Sequence, residues 1–210
     1  MRNKVKGTRP GHFHHIGPRG AGIQEFARWY RDRELEQWSR LDLAAVERLV
    51  RLLLEAGRRG RHVFVMGNGG SAATAASIAV DFSKTAGVRG RPALKCISLS
   101  ENSAFITAMS NDLAFEEIFV KQLENLLAPG DVVLAVSGSG NSANLIKAVR
   151  FARSRGAKTA ALLGFDGGRL KSLVHVPVLV ASDQYGVVED LHLAISHIIT
   201  FFLSQRPARD

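Results

Sequence analysis

The sequence predicts an α/β protein with a single doubly wound, five-stranded parallel sheet that follows two N-terminal helices. From Arg61 onward, short apolar runs alternate with segments of helical periodicity. The connections between them are short, which is typical of parallel strands joined by helices that cover both faces of the sheet. Strands are predicted at about 62–66, 93–99, 131–136, 158–163 and 175–180.

Helices are predicted between these strands at about 71–86, 102–110, 114–127, 142–155 and 186–204. Two further helices precede the sheet within residues 22–57, where Asp42 is placed to cap the second one. The chain therefore divides into a flexible basic leader at 1–20, N-terminal helices at 21–60 and the main domain at 61–205. The stretches that join these elements are too short for a second sheet domain.

The net charge of +9 does not by itself indicate nucleic-acid binding, because its distribution is uneven. Five basic residues and no acidic ones lie in the leader, and the remaining basic residues are spread over helices. Nucleic acid is thus not expected as a partner, and binding through the leader would require salt-dependent affinity. A positive field also favours association with a phosphorylated substrate.

Cys96 is the single cysteine, which excludes a disulfide within the chain and suits a reducing cytosol. The basic N-terminus lacks the apolar core of a secretory signal. No apolar run is expected to reach the roughly 18 residues that a membrane span requires. We therefore expect a cytoplasmic protein without a membrane partner.

A glycine-rich turn follows the first predicted strand. The apolar run His62–Val65 leads into the sequence GNGGS at residues 67–71, and a helix begins there. Glycines allow close approach of the backbone to an oxyanion, and the N–H groups and dipole at a helix start favour negative charge. The alternative is a tight connection between strand and helix with no ligand.

A second turn of this kind follows the third predicted strand. Residues 137–142 have the sequence SGSGNS, with three serines and two glycines between a strand and a helix. Ligands bind at the carboxyl ends of the strands in open α/β sheets. One such turn is explained by capping alone. Two in one domain favour a small molecule that carries a phosphate group.

The two motifs, GNGGS and SGSGNS, and the strand–helix alternation around them resemble the sugar isomerase (SIS) domain. The chain is most similar to the phosphoheptose isomerases over about residues 25–203, including Ser110-Asn111-Asp112 and the closing Glu189-Asp190-Leu191-His192…His197. The resemblance implies a flavodoxin-like sheet and a homotetramer built on the N-terminal helices. It also implies isomerisation of sedoheptulose 7-phosphate to a heptose phosphate through an enediol.

Site residues are carried over from this resemblance. Asp81 and His197 are the implied catalytic pair, because the reaction needs a group that moves a proton between neighbouring carbons and one that stabilises the oxyanion. The implied substrate-binding residues are Asn68, Gly69, Gly70, Ser71, Asn111, Asp112, Ser137, Ser139, Ser142 and Glu189. The asparagines, the serines and Asp112 in this set could equally be turn or cap residues.

Many members of the resembling family also bind zinc, and the implied ligands here are Asp81, Glu189 and His197. The sequence departs from the family at Ser77, which stands where a fourth ligand, a histidine, is usual. Three ligands suffice for a catalytic zinc with an open position. Since serine is a poor zinc ligand, we expect weaker metal binding than in the family, or none.

Loss of that histidine also leaves a second function open. Some SIS domains keep the phosphate-binding turns without catalytic residues and act as sugar-phosphate sensors or as protein-binding modules. Ser77 favours this alternative, whereas the retained Asp81, Glu189 and His197 favour an enzyme.

Overall fold

The computed structural model describes residues 17–87 and 93–205, which form a five-stranded sheet with all neighbouring strands parallel. The spatial order is β2-β1-β3-β4-β5. This is the flavodoxin-like order, so the predicted fold class is confirmed. The strands are β1 His62–Gly67, β2 Lys95–Ser98, β3 Val132–Ser137, β4 Lys158–Leu163 and β5 Val176–Leu179.

Helices cover both faces of the sheet, as a doubly wound fold requires. Val63 and Val65 of β1 pack with α2, α3 and α8 on one face, whereas Phe64 and Met66 pack with α5 and α6 on the other. The helices are α1 Ile23–Arg40, α2 Leu43–Arg58, α3 Gly70–Lys84, α4 Ser103–Asp112, α5 Val120–Leu126, α6 Ala143–Ser154, α7 Gly168–Leu173 and α8 Tyr185–Gln205.

Two helical segments differ from the sequence predictions. The six-residue helix α7 was not predicted, because so short a segment carries little periodicity. The single helix predicted at about 114–127 is divided into a 3₁₀ turn at Phe115–Glu117 and α5. The 3₁₀ turn starts after Ala114, whose backbone is extended. Neither difference moves a predicted strand end near the glycine–serine turns.

The two N-terminal helices have different environments. Helix α2 belongs to the core, with Leu49 and Leu53 fully buried, and Asp42 caps it by accepting a hydrogen bond from the N–H of Ala45 at 3.1 Å. Helix α1 is polar and mostly exposed, with Gln37 its one buried residue. Its Tyr30 hydroxyl donates to Asp190 Oδ2 of α8 at 2.6 Å. Residues 1–16, most of the predicted leader, lie outside the described residues.

Helix α8 corrects one expectation from the sequence. Its 21 residues are long and apolar enough to cross a membrane by length and composition, although no such run was expected. Half of it is buried in the protein, and Leu191, Ile195 and Ile199 are almost fully buried in the core. These buried residues place one side of α8 in the core on its face of the sheet, whereas Ile198 and Phe201 are exposed.

Candidate active site

The two glycine–serine turns meet at the point where the strand order reverses. Strands β1 and β3 are neighbours, and Gly67 pairs with Val136 at their carboxyl ends, so both turns leave the sheet side by side. A cavity of about 190 Å³ lies between them. It brings together six of the residues predicted from the sequence, namely Asn68, Ser71, Ser137, Ser139, Ser142 and Glu189. We call this cavity the serine pocket.

The first turn presents the start of α3 to the serine pocket. Gly69 precedes α3 with φ +56° and ψ −127°, a conformation that favours glycine, and it provides no side-chain cap. Ser100, two residues after the end of β2, holds the turn in place: its Oγ accepts from the N–H of Gly67 at 3.1 Å and donates to the carbonyl of Gly67 at 2.9 Å. The N–H groups of the first turn of α3 are thus suited to an anion.

The serines of the second turn both shape the backbone and line the serine pocket. Ser137 Oγ accepts from the N–H of Gly140 at 3.0 Å, and Ser139 Oγ accepts from the N–H of Asn141 at 3.3 Å. Each hydroxyl still has its own hydrogen to donate. Ser142 precedes α6 without making a side-chain cap bond. Ser137 and Ser139 thus stabilise the turn, as the capping alternative predicts. The hydroxyl hydrogens of the three serines can still be donated to a phosphate group.

One contact that joins the two turns was not predicted from the sequence. The Asn68 Nδ2 group donates to Asn144 Oδ1 at 3.0 Å, and Asn144 Nδ2 donates to Asn68 Oδ1 at 2.9 Å. Asn144 is 2% exposed, and its Oδ1 also accepts from the N–H of Leu145. The position of Asn144 two residues after the SGSGNS motif was the only available signal. This amide pair fixes the width of the serine pocket.

Glu189 reaches the serine pocket from the first part of α8. Its carboxylate lies directly against Gly70, where a side chain on residue 70 would overlap it. Burial, and to a smaller extent the charge of Asp190, raises the pKa of the Glu189 carboxyl. A carboxyl group with a raised pKa beside a binding pocket is suited to hydrogen bonding and proton transfer.

The structure brings the predicted catalytic pair together, but not in the serine pocket. His197 Nε2 lies 3.5 Å from Asp81 Oδ2, with the histidine side chain 46% exposed and the aspartate 24%. Asp81 follows Ser71 by ten residues of α3, which is about 15 Å along the helix axis. Helices α3 and α8 run side by side in the same direction, with Gly70 beside Glu189 at one end and Asp81 beside His197 at the other.

The three predicted zinc ligands do not meet within one chain. Glu189 and His197 are eight residues apart on α8, about 12 Å along its axis, which is far beyond the span of one coordination sphere. Across the parts of the chain that the structure describes, no three His, Cys, Asp or Glu side chains are grouped to hold a metal ion. The donor set of a single chain therefore does not fit zinc.

Asn111 and Asp112 lie outside the serine pocket. They end α4, where Asn111 Nδ2 donates to Asp112 Oδ1 at 2.9 Å, and both side chains are exposed. Helix α4 follows β2, the edge strand next to β1, and neither residue lines the serine pocket. Their predicted contact with substrate stays a prediction.

Two further residues of α8 were not assigned a clear role from the sequence. Tyr185, which opens α8, lines the pocket and packs its ring edge-on against Phe165 with the centroids 4.8 Å apart. Its place just after β5 was the signal that could have found it. His192 is fully buried, and this burial lowers its pKa to about 4. It is therefore a neutral core residue.

Comparisons with known proteins agree with this geometry. The family profile of the SIS domain matches residues 30–164. A phosphoheptose isomerase of Trichlorobacter lovleyi is 40% identical over 162 residues, which cover 77% of this chain and 82% of the relative. Another, of Pelobacter propionicus, is 44% identical over 70% of this chain and 77% of its own. The solved structure of a phosphoheptose isomerase from Francisella tularensis superposes with a TM-score of 0.80 at 27% identity, over 88% of this chain and 97% of the other.

Proposed function

Because the chain belongs to the SIS domain family, and within it to the phosphoheptose isomerases, we propose that it converts sedoheptulose 7-phosphate into the corresponding aldose phosphate. The observation that carries this proposal is the serine pocket. Three serines of one turn, Ser71 of the other and the start of α3 all face one cavity at the switch point of the sheet. Hydroxyl donors together with a helix start are suited to a phosphate group.

We infer that the substrate carbons extend from the serine pocket toward the catalytic pair. With the phosphate group in the serine pocket, the sugar chain would run along α3 and α8 in the direction of Asp81 and His197. Glu189 lines the start of this path, and Asp81 and His197 lie further along the same two helices. We assign Glu189 to hydrogen bonding with substrate hydroxyls, and the Asp81–His197 pair to proton transfer.

The reaction requires two proton shifts. A base removes a proton from C1 of the ketose while the C2 carbonyl oxygen is protonated, which gives an enediol. Return of a proton to C2, with loss of the proton from the C1 oxygen, gives the aldose. A carboxylate and an imidazole 3.5 Å apart are suited to these roles, and their contact would tighten around a substrate. Because the donor set of a single chain does not fit zinc, we assign both proton shifts to these two side chains.

We also propose that a second copy of the chain covers the catalytic pair. Three apolar side chains beside the catalytic pair, those of Val80, Ile198 and Phe201, are each at least half exposed. Val80 directly precedes Asp81, Ile198 directly follows His197, and Phe201 lies one turn beyond His197 on α8. The Phe201 ring lies 6.4 Å from the His197 ring, centroid to centroid. Burial of this apolar surface would drive association and exclude water from an enediol. The family resemblance implies a homotetramer built on the N-terminal helices, and we propose that this surface forms a further contact in it.

A cytoplasmic location is likewise proposed and is supported by the state of the one cysteine. Cys96 is a free thiol in the edge strand β2, and burial raises its pKa to about 12. Such a thiol is unreactive and serves as a small core residue.

The alternative function, a regulator that binds sugar phosphates without turnover, is not favoured. The relatives that share about 40% identity with most of this chain are named isomerases. Asp81 and His197 are also paired across two helices, as proton transfer requires, despite serine at position 77.

Steady-state kinetics of Ser142→Ala test the proposal. Ser142 lines the serine pocket and makes no cap bond, so its loss should raise KM for sedoheptulose 7-phosphate about tenfold and leave folding unchanged. Ser172→Ala is the matched control, because Ser172 lies exposed on α7 and its hydroxyl donates only to the Arg169 carbonyl. Equal KM values for the two variants would contradict the phosphate assignment.

A further inference from the structure

Two neighbouring stripes on the first two turns of α8 face different parts of the molecule. Tyr185 and Glu189 are four residues apart, so they lie on one side of the helix, and both line the serine pocket. Gly186 and Asp190, each one residue further along, form the second stripe, and Tyr30 of α1 lies against both of them. Each α8 residue at the serine pocket is thus followed directly by one that contacts α1.

The hydroxyl group of Tyr30 makes both contacts with the second stripe. It donates to Asp190 Oδ2 at 2.6 Å, which is the short distance typical of a hydrogen bond to a charged acceptor. It also lies so close to Gly186 that a methyl group on residue 186 would stand 2.6 Å from the hydroxyl oxygen. The Tyr30 side chain packs against the core on this face of the sheet. The hydroxyl therefore joins α1 to a defined place on α8.

Negative charge is concentrated around this hydroxyl. Burial, the hydrogen bond to Asp190 and the charges of Asp190, Glu34 and Glu189 raise the pKa of Tyr30 well above its ordinary value. Tyr30 therefore keeps its proton and remains a donor. Asp190 acts in turn on its neighbour, because its charge adds to burial in raising the pKa of the Glu189 carboxyl. The proton that Tyr30 donates offsets part of the charge that Glu189 experiences.

From these contacts we propose that Tyr30 is a positioning residue for the isomerase, and that its bond to Asp190 fixes the start of α8 and so holds Glu189 at the serine pocket. The inference rests on the proposed function, in which Glu189 binds substrate hydroxyls. The Glu189 carboxylate lies directly against Gly70, so a small rotation of α8 would shift it relative to the phosphate site. Tyr30 is not among the residues that line the serine pocket, and it acts on the substrate through α8.

Steady-state kinetics of Tyr30→Phe test this role, because phenylalanine keeps the ring and removes only the hydroxyl. KM for sedoheptulose 7-phosphate should rise about fivefold. The value of kcat should change less than about twofold, since Asp81 and His197 lie at the other end of the contact between α3 and α8. Ser39→Ala is the matched control, because it removes another hydroxyl donor of α1, which donates to the Glu36 carbonyl at 2.7 Å. An unchanged KM in Tyr30→Phe would overturn the inference.

A double-mutant cycle separates positioning from general support of the fold. In a Glu189→Ala background, Tyr30→Phe should change KM by less than about twofold, because the side chain that Tyr30 positions is already absent. A residue that only stabilised the fold would raise KM by the same factor with and without the Glu189 carboxylate. An undiminished, fivefold effect of Tyr30→Phe in the Glu189→Ala protein would therefore overturn the proposal.

A measurement without substrate distinguishes failure of this inference from failure of the proposed function. Carboxyl ¹³C NMR of protein with labelled glutamate follows the titration of Glu189, whose signal is identified by its absence from Glu189→Ala. The titration should move to higher pH in Tyr30→Phe, where Asp190 loses its donor, and to lower pH in Asp190→Asn. A Glu189 titration unchanged by Tyr30→Phe would overturn the inference. An inactive wild type with both shifts would contradict the isomerase reaction and leave the link from Tyr30 to Glu189 in place.

Discussion

The side chains of Asn68 and Asn144 donate hydrogen bonds to each other, at 3.0 and 2.9 Å, across 76 residues of sequence. This pair links the turn after β1 to the first turn of α6, the helix after β3. The serine pocket therefore has a defined width before any ligand enters. Preorganisation of this kind lowers the cost of ordering the site when substrate binds.

Asn144→Ala should lower the free energy of unfolding by about 1–3 kcal/mol and raise KM, because it leaves the Asn68 amide and the N–H of Leu145 without their partner. Urea denaturation and steady-state kinetics measure the two effects. Asn125→Ala, on the exposed face of α5, is the control and should change neither quantity. An unaltered KM in a destabilised Asn144→Ala protein would mean that the amide pair serves stability alone.

Gly70→Ala should lower kcat/KM at least about tenfold, because the added methyl group would displace the Glu189 carboxylate from the start of α3. Gly22→Ala serves as its control, since a side chain there meets nothing within 4 Å. Kinetics and circular dichroism of both variants separate a local change from misfolding. Full activity of Gly70→Ala would show that the position of Glu189 is unimportant for turnover.

Glu189→Gln should stabilise the protein at about pH 8, and the gain should disappear near pH 4. The folded pKa of Glu189 is raised above its usual 4.5, so its contribution to stability is present below the unfolded pKa and is lost as pH rises through the folded pKa. Glutamine carries no charge at any pH. Melting temperatures over this pH range test the difference. A glutamine variant that is less stable than the wild type at about pH 8 would contradict the direction of the shift.

Ser77→His should create a zinc site that the wild-type chain lacks. Residues 77 and 81 are four apart on α3 and share a face, so the new imidazole would join Asp81 and His197 as a third ligand. Zinc titration by calorimetry should show binding at least about a hundredfold tighter in Ser77→His than in the wild type. Ser83→His, two residues beyond Asp81 and off that face, provides the comparison. Equally tight zinc binding by the wild type would mean that copies of the chain already complete a metal site.

Much of the serine pocket could be predicted from sequence because its parts are local. Each turn follows an apolar strand and opens a helix, and parallel strands bring their carboxyl ends to one edge, so Ser71 and Ser137 were expected close together. Glu189 was placed near them only through the family resemblance. The structure adds the reason, which is that α8 passes beside the start of α3.

Other relationships could not be predicted, because they depend on distances between elements. The family resemblance implies that Glu189, Asp81 and His197 bind one metal ion. In the structure, Glu189 and His197 lie more than two helical turns apart on α8. The Asn68–Asn144 pair likewise arises from packing between distant segments. A polar residue within a helical pattern gives no sign of which of these environments it will occupy.

The most direct test of the central claim is ¹H and ¹³C NMR of sedoheptulose 7-phosphate incubated with the protein in D₂O, with His197→Ala alongside. The wild type should form an aldose phosphate that carries deuterium at C2, because the side chain that takes the proton from C1 exchanges it with solvent deuterium before a deuteron returns to C2. His197→Ala should form product at least about a hundredfold more slowly. Thermal stabilisation of the wild-type protein by sedoheptulose 7-phosphate without any product would contradict the account and would identify a binding protein.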